Sequence, residues 1–225
     1  MSTPTAGDRH NRLIILLIAG IPLTIVLAAS WLWYFVAEGD LDLLGAIGTA
    51  NNGILLDPPR QINDTRFEND AGASFAWDDL ESRWTMVVVN EGAVCGQSCE
   101  RRLYFTRQIH IALGKDFNRV RRSFISDTPI AEGRIDIPAE LPEGWPDGLE
   151  DDGLAGYLAR AHSGLVAVKT SASALSTLFP ETATVASGWY LVDPAGWIMM
   201  RYEDDLDYKA VISDLKFLLK NSGDS

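Results

Sequence analysis

Between Leu13 and Val36 the chain reads LIILLIAGIPLTIVLAASWLWYFV, 24 residues without a charge. At ~1.5 Å per residue, a helix of that length matches a bilayer core of ~30 Å. Residues 13–36 are therefore expected to form a transmembrane anchor. Pro22 is expected to kink this helix without abolishing it. Trp31, Trp33 and Tyr34 cluster at its far end, where indole and phenol groups favour the headgroup region. Arg9, His10 and Arg12 precede the run, and Glu38, Asp40 and Asp42 follow it. The positive flank stays inside, which leaves residues 1–12 cytoplasmic and exports everything after the anchor. A cleaved signal peptide ending near LAAS (27–30) is the rival reading. The apolar run continues beyond what a signal needs, which favours an uncleaved anchor, and both readings export the rest.

The formal charge is −12, from 19 Lys+Arg against 31 Asp+Glu. Such a surface repels phosphates, so no nucleic-acid partner is expected. The cytoplasmic tail is net positive, which leaves the exported part at −13. An acidic domain of this kind does not lie flat on anionic lipid. With 47% hydrophobic residues over 225 positions, the chain can bury one ordinary core plus an appendage.

Residues 37–73 read as a stalk and an arm, with GILLDPPRQI (53–62) as an edge segment stopped by Pro58 and Pro59. From 74 to 222 an α/β pattern follows. SFAW (74–77) reads as a short strand, and WTMVVVN (84–90) as a strand buried on both faces. Residues 99–117 have helical period, with Leu103, Thr106, Ile109 and Leu113 on one side. RVRRSFIS (119–126) is the next strand. Residues 127–153, rich in proline, glycine and acids and carrying Trp145, read as a loop-rich acidic insertion. A helix (154–162), a strand (164–170) and a second short helix (171–179) come next. GWYLVDPAGWIMMRYEDD (188–205) reads as a hairpin turning at Asp193–Gly196, and residues 208–220 as an amphipathic helix. The order is that of a thioredoxin-like fold, a mixed central sheet with helices on both faces.

Cys95 and Cys99 are the only cysteines, in NEGAVCGQSCERRLY (90–104). They stand between a buried strand and a helix, with the second in the first helical turn. Amides and the dipole of a helix N-terminus favour a thiolate there, and Arg101 and Arg102 are placed to add to the effect. A thiolate is a nucleophile and a soft-metal ligand. The spacing can also close a disulfide, and a permanent one in an exported protein is the plain alternative. The functional reading requires both sulfurs to be reachable by solvent and a partner. His110 is expected on the helix surface or in a satisfied core contact. His162 is expected as a helix C-terminal residue favoured by the dipole. Met199 and Met200 are expected to pack. The pairs Asp78–Asp79, Asp151–Asp152 and Asp204–Asp205 read as turn residues.

The anchor, the strand running into CGQSC, SFISDTP (123–129) and YLVDPAGWI (190–198) together resemble the Sco/SenC family of membrane-anchored, thioredoxin-like proteins. The likeness spans roughly 74–220. The arm and layout are also similar in type to small single-anchor proteins associated with bacterial oxidase assembly. The family resemblance implies a single-pass protein of the bacterial inner membrane, N-terminus cytoplasmic and domain periplasmic. It also implies service in assembling the copper centre of cytochrome c oxidase, with oxidase subunits or other assembly factors as partners. On this chain it assigns redox chemistry and copper(I) ligation to Cys95 and Cys99. The chain departs from the family in two places. The family's third copper ligand, a histidine before the YLVDP strand, is absent from PETATVASGWYLVDP (180–194), and Glu100 stands where a proline follows the second cysteine. Copper binding is thereby weakened and the third ligand unidentified, which tilts the expectation toward thiol–disulfide exchange. A general thiol–disulfide oxidoreductase and a non-catalytic interaction module with a structural disulfide are the alternatives.

Overall fold

The computed structural model describes residues 6–37, 51–136, 153–183 and 188–222. The chain divides into two units, Met1–Ala50 and Asn51–Ser225. In the first, helix α1 (Ala6–Ala37) covers the uncharged run and continues through Pro22. Its side chains are described for residues 17–31 and 34 only. Among the described residues, no helix is long and apolar enough to cross a membrane. The stalk from 38 to 50 lies outside the described residues.

The second unit opens with β1 (Ile54–Gln61), β2 (Arg66–Glu68) and β3 (Ser74–Ala76). The run WTMVVVN forms β4 (Trp84–Asn90), with all seven residues buried. Next come β5 (Val94–Cys95), α2 (Gln97–Ala112), β6 (Val120–Ser126) and β7 (Arg134–Ile135). Then follow α3 (Gly153–Ala161), β8 (Val166–Lys169), α4 (Ala172–Leu178), β9 (Trp189–Val192), β10 (Trp197–Tyr202) and α5 (Tyr208–Asn221).

Side chains alternate across a strand, so a strand buried on both faces needs a core on each. On β4, Met86 and Val88 join one apolar cluster with Leu103 of α2, Tyr157 of α3 and Leu215 of α5. Val87 and Val89 join the other, with Ile125 and with Leu175 of α4. The main sheet runs β1-β10-β9-β4-β6-β8-β2-β3. β4, β6 and β8 are parallel, while β9 is antiparallel to both β4 and β10. The thioredoxin-like layering expected from the sequence is the one observed.

Three boundaries differ from the sequence reading. The sheet includes β1 and β2, so the compact unit starts at Asn51 rather than at residue 74. Asp214 of α5, buried at 4% exposure, accepts hydrogen bonds from the Asn52 and Gly53 amides at 2.9 and 3.1 Å and ties this arm down. The helix expected to 117 ends at Ala112, because Gly114 takes a left-handed φ of 60° and a 3₁₀ segment follows. The acidic insertion is partly structured, since β7 pairs in parallel with β5. Residues 137–152, with Trp145 and Asp151–Asp152, lie outside the described residues.

Candidate functional site

β4 delivers the chain to the rim of the sheet, where the two-residue β5 carries Cys95 and Gly96 caps α2. Cys99 is the third residue of that helix, and its sulfur is bonded to Cys95, S–S 2.02 Å. The structure thus joins the two residues singled out in the sequence. It corrects the expectation that both are accessible. Cys95 is 0% exposed and Cys99 5%, and both belong to the larger core cluster. Both sulfurs pack in that cluster, and Cys95 is further held by an unforeseen ladder with β7, where it is in register with Ile135 and its carbonyl accepts the Asp136 amide at 2.9 Å.

Cys99 borders a cavity of about 350 Å³, whose walls include Asn90, Gln97, Ser98, Arg102, Tyr190 and Arg201. Both arginines are nearly buried, and acids behind them hold their heads. Arg102 Nε donates to Asp204 at 3.0 Å, and Arg201 Nη2 to Glu203 at 2.8 Å. Asp204 is therefore an ion-pair partner rather than only a turn residue. On the far wall the Tyr190 hydroxyl donates to Glu181 at 3.2 Å, and Arg60 makes a bidentate pair with the same carboxylate at 2.8 Å. Burial alone would raise the Glu181 pKa, but the Arg60 pair outweighs it and holds the group below its usual range.

Behind Cys99 lies a buried polar group that sequence reasoning did not assemble. Glu100 is 5% exposed; burial raises its pKa, and the Tyr157 hydroxyl donating at 2.9 Å offsets part of the rise. The Tyr157 ring lies 5.2 Å from that of His162. His162 was expected as a dipole-favoured helix end. It does stand at the end of α3, its amide donating to the Leu158 carbonyl at 3.0 Å, but the ring is 1% exposed and accepts from Arg122 Nη1 at Nδ1, 3.1 Å away. Burial first, then the charges of Arg122 and Arg107, lower its pKa to about 3, so the ring is neutral. His110 is a satisfied core residue, stacked on Phe117 with Nε2 2.9 Å from the Phe117 and Val120 carbonyl oxygens. Met200 is buried and Met199 packs against the core, as expected. One signal for Arg201 was available: a lone cation within an otherwise apolar strand, WIMMRY. Such a residue needs a partner when buried.

No group of three or more His, Cys, Asp or Glu able to hold a metal occurs among the described residues. Yeast Sco1 is structurally similar at 15% identity and a TM-score of 0.50, covering 72% of this chain and 95% of that one. Apo Sco1 from Thermus thermophilus matches at 17% identity and TM-score 0.49, covering 75% and 96%. BsSco, a member of the Sco family of cytochrome c oxidase assembly proteins with a disulfide switch, matches at 15% and 0.47, covering 76% and 98%. The resemblance expected from the sequence is thus met in the fold. No curated protein matches the sequence. The family described as transmembrane-like, thioredoxin-like, C-terminal domain matches residues 84–140 and 156–222. With strand, disulfide-bearing helix start, hairpin and last helix all inside the matched residues, the chain belongs to that family.

Proposed function

We propose that this chain is a membrane-anchored, periplasm-facing assembly factor for cytochrome c oxidase that works by thiol–disulfide exchange at Cys95 and Cys99. The observation that carries the chemistry is the disulfide at the start of α2, with Cys99 among the residues that border a cavity. The oxidase as target rests on CGQSC, SFISDTP and YLVDPAGWI, and the anchor on the uncharged run from 13 to 36.

Copper(I) as cargo fits these residues poorly. After reduction, two thiolates would be the soft donors present, while His110 and His162 are engaged in the core. The cavity wall that Cys99 borders carries Arg102 and Arg201, whose guanidinium groups donate hydrogen bonds and do not ligate a metal. The burial of Cys95 at 0% and Cys99 at 5% exposure fails the access that the sequence reading required of both sulfurs and favours one rival, an interaction module with a structural disulfide; exchange needs one of the two to be reached.

A strain carrying Cys95→Ser and Cys99→Ser together separates these readings. Oxidase activity is expected to fall severalfold while the variant accumulates normally in the inner membrane. Unchanged oxidase activity would sink the proposal. Insulin reduction by the purified chain is expected to be negligible; broad turnover would point to a general oxidoreductase. A phosphatase fused after Ser225 is expected to be active, as its export requires.

A further inference from the structure

We propose that the solvent face of α5 rests on an anionic lipid surface, an inference that builds on the membrane-anchored reading above. Three of the chain's five lysines, Lys209, Lys216 and Lys220, stand on this helix. At about 100° per residue they fall within an arc of about 40°, and all three are exposed. Phe217 flanks that stripe at 63% exposure, the most open large apolar side chain among the described residues after Asn51. The one acid of α5, Asp214, is 4% exposed and accepts hydrogen bonds from the Tyr202 hydroxyl and the Asn52 amide. Lys169 is ion-paired with Glu68, whereas among the described residues no acid pairs with the three lysines of α5. On a chain of net charge −12, this face is locally cationic and carries an open phenylalanine.

Charge and the course of the chain favour lipid as the occupant. A lysine near an anionic bilayer gains about fivefold in partition. A phenylalanine beside it can enter the boundary between headgroups and acyl chains. The chain also enters its second unit on this helix: Asn52 Nδ2 donates to the Asp214 carboxylate at 2.8 Å and to the Ala210 carbonyl at 3.3 Å. Asn51 is the fifteenth residue after Val36, so an anchor ending at Val36 leaves a tether whose reach is at most about 50 Å. A short tether turns a weak surface contact into an intramolecular one, and a few lysines then suffice. The acid-rich remainder of the domain is repelled by the same lipid, which confines contact to α5. Asp205 and Asp207 precede the helix and oppose approach of its first turn, so Lys216, Phe217 and Lys220 make the contact.

The test places a polarity-sensitive fluorophore on Ser213→Cys, an exposed position between Lys209 and Lys216, in the reconstituted full chain with its disulfide closed. Vesicles of phosphatidylcholine alone are compared with vesicles of two parts phosphatidylcholine to one of phosphatidylglycerol, both carrying a headgroup-linked quencher. Quenching is expected on the anionic vesicles only. It is expected to vanish at about 1 M salt, where the screening length is ~3 Å. Lys216→Gln with Lys220→Gln is expected to lower the docked-to-free ratio about twenty-fivefold, and Phe217→Ser severalfold. Both changes are on exposed positions and keep the fold. The same probe on Ser176→Cys of α4, across the sheet, is expected to stay unquenched. Equal quenching on both vesicles, or quenching that survives loss of the lysines, overturns the inference. No quenching on either overturns it too and leaves the face to solvent or to an acidic protein. Alkaline carbonate separates the anchor from the docking. A chain that carbonate leaves in the bilayer while Ser213→Cys stays unquenched overturns the docking and keeps the anchor. A chain that carbonate strips from phosphatidylcholine overturns the anchor, and salt-sensitive quenching on anionic vesicles then still supports the face.

Discussion

β4 and β5 are separated by three residues and are built on opposite terms. β4 has seven consecutive buried residues, a core on each face and sheet partners on both sides. β5 has two residues, one half-open and one buried, and a single two-residue partner. The first is held by apolar area, which a sequence displays as composition. The second is held by a distant segment, and its cover over Cys95 is only as firm as that pairing. The disulfide sits on the weakly held side, next to the strongly held one that positions it.

The largest contrast is expected from truncation on the strong side. Phe124 of β6, in register with Val88 and fully buried, belongs to the main core cluster. Phe124→Ala is expected to cost about 3–5 kcal/mol in urea denaturation of the full chain, through lost transfer energy and the cavity left behind. Val94→Ser, at a 42% exposed position on β5, is expected to cost under about 0.5 kcal/mol. Comparable costs at the two sites would erase the distinction.

A smaller effect, and a more specific one, is expected where the cover meets the core. Gly133 precedes β7, and a Cβ there would stand 2.5 Å from Leu154 Cδ2 and 3.2 Å from the Ile130 carbonyl oxygen. Neither the backbone nor the buried leucine gives way easily. Gly133→Val is expected to cost about 1–3 kcal/mol by overpacking. It is also expected to speed glutathione reduction of the disulfide, because β7 is displaced from Cys95. Destabilisation with an unchanged reduction rate would show that β7 does not gate the sulfurs.

The same contrast explains what was legible in the sequence. β4, β6, the last hairpin and α5 follow from apolar runs and periodicity, since each buries its own side chains by a local pattern. The cysteine pair was legible because its spacing and position suffice to mark it. The β5–β7 ladder was not, because two-residue strands carry no periodicity and their partner lies in a segment whose composition reads as loop. Arg102 and Arg201 were missed as cavity walls for a related reason. Their acids are Asp204 and Glu203, and for Arg102 the partner is 102 residues away. β1 was read as an arm because what makes it part of the domain, its pairing with β10 and the Asp214 carboxylate that holds Asn52 and Gly53 just before it, lies far along the chain.

His162 marks where the strong side begins, because the sequence placed it at a helix end and the fold places it in the core at 1% exposure. Its pKa falls from the usual 6.5 to about 3, by burial and then by the Arg122 and Arg107 charges. The folded state therefore stays unprotonated at this site between pH 6.5 and 3, while the unfolded chain takes up a proton. Stability from this residue is full above pH 6.5 and is lost as the pH falls toward 3. One such proton gives a slope of at most about 1.4 kcal/mol per pH unit, and roughly 1 is expected between pH 6 and 5. His162→Gln keeps an acceptor for Arg122 and removes the titration. Urea midpoints at pH 7, 6 and 5 are expected to fall less steeply in the variant than in the parent chain, whatever the variant's absolute stability. The burial-lowered His110 titrates in both chains and cancels from the difference. Equal slopes would mean that His162 is protonated in the fold as readily as in the unfolded chain, which would move it to the solvent side of the boundary.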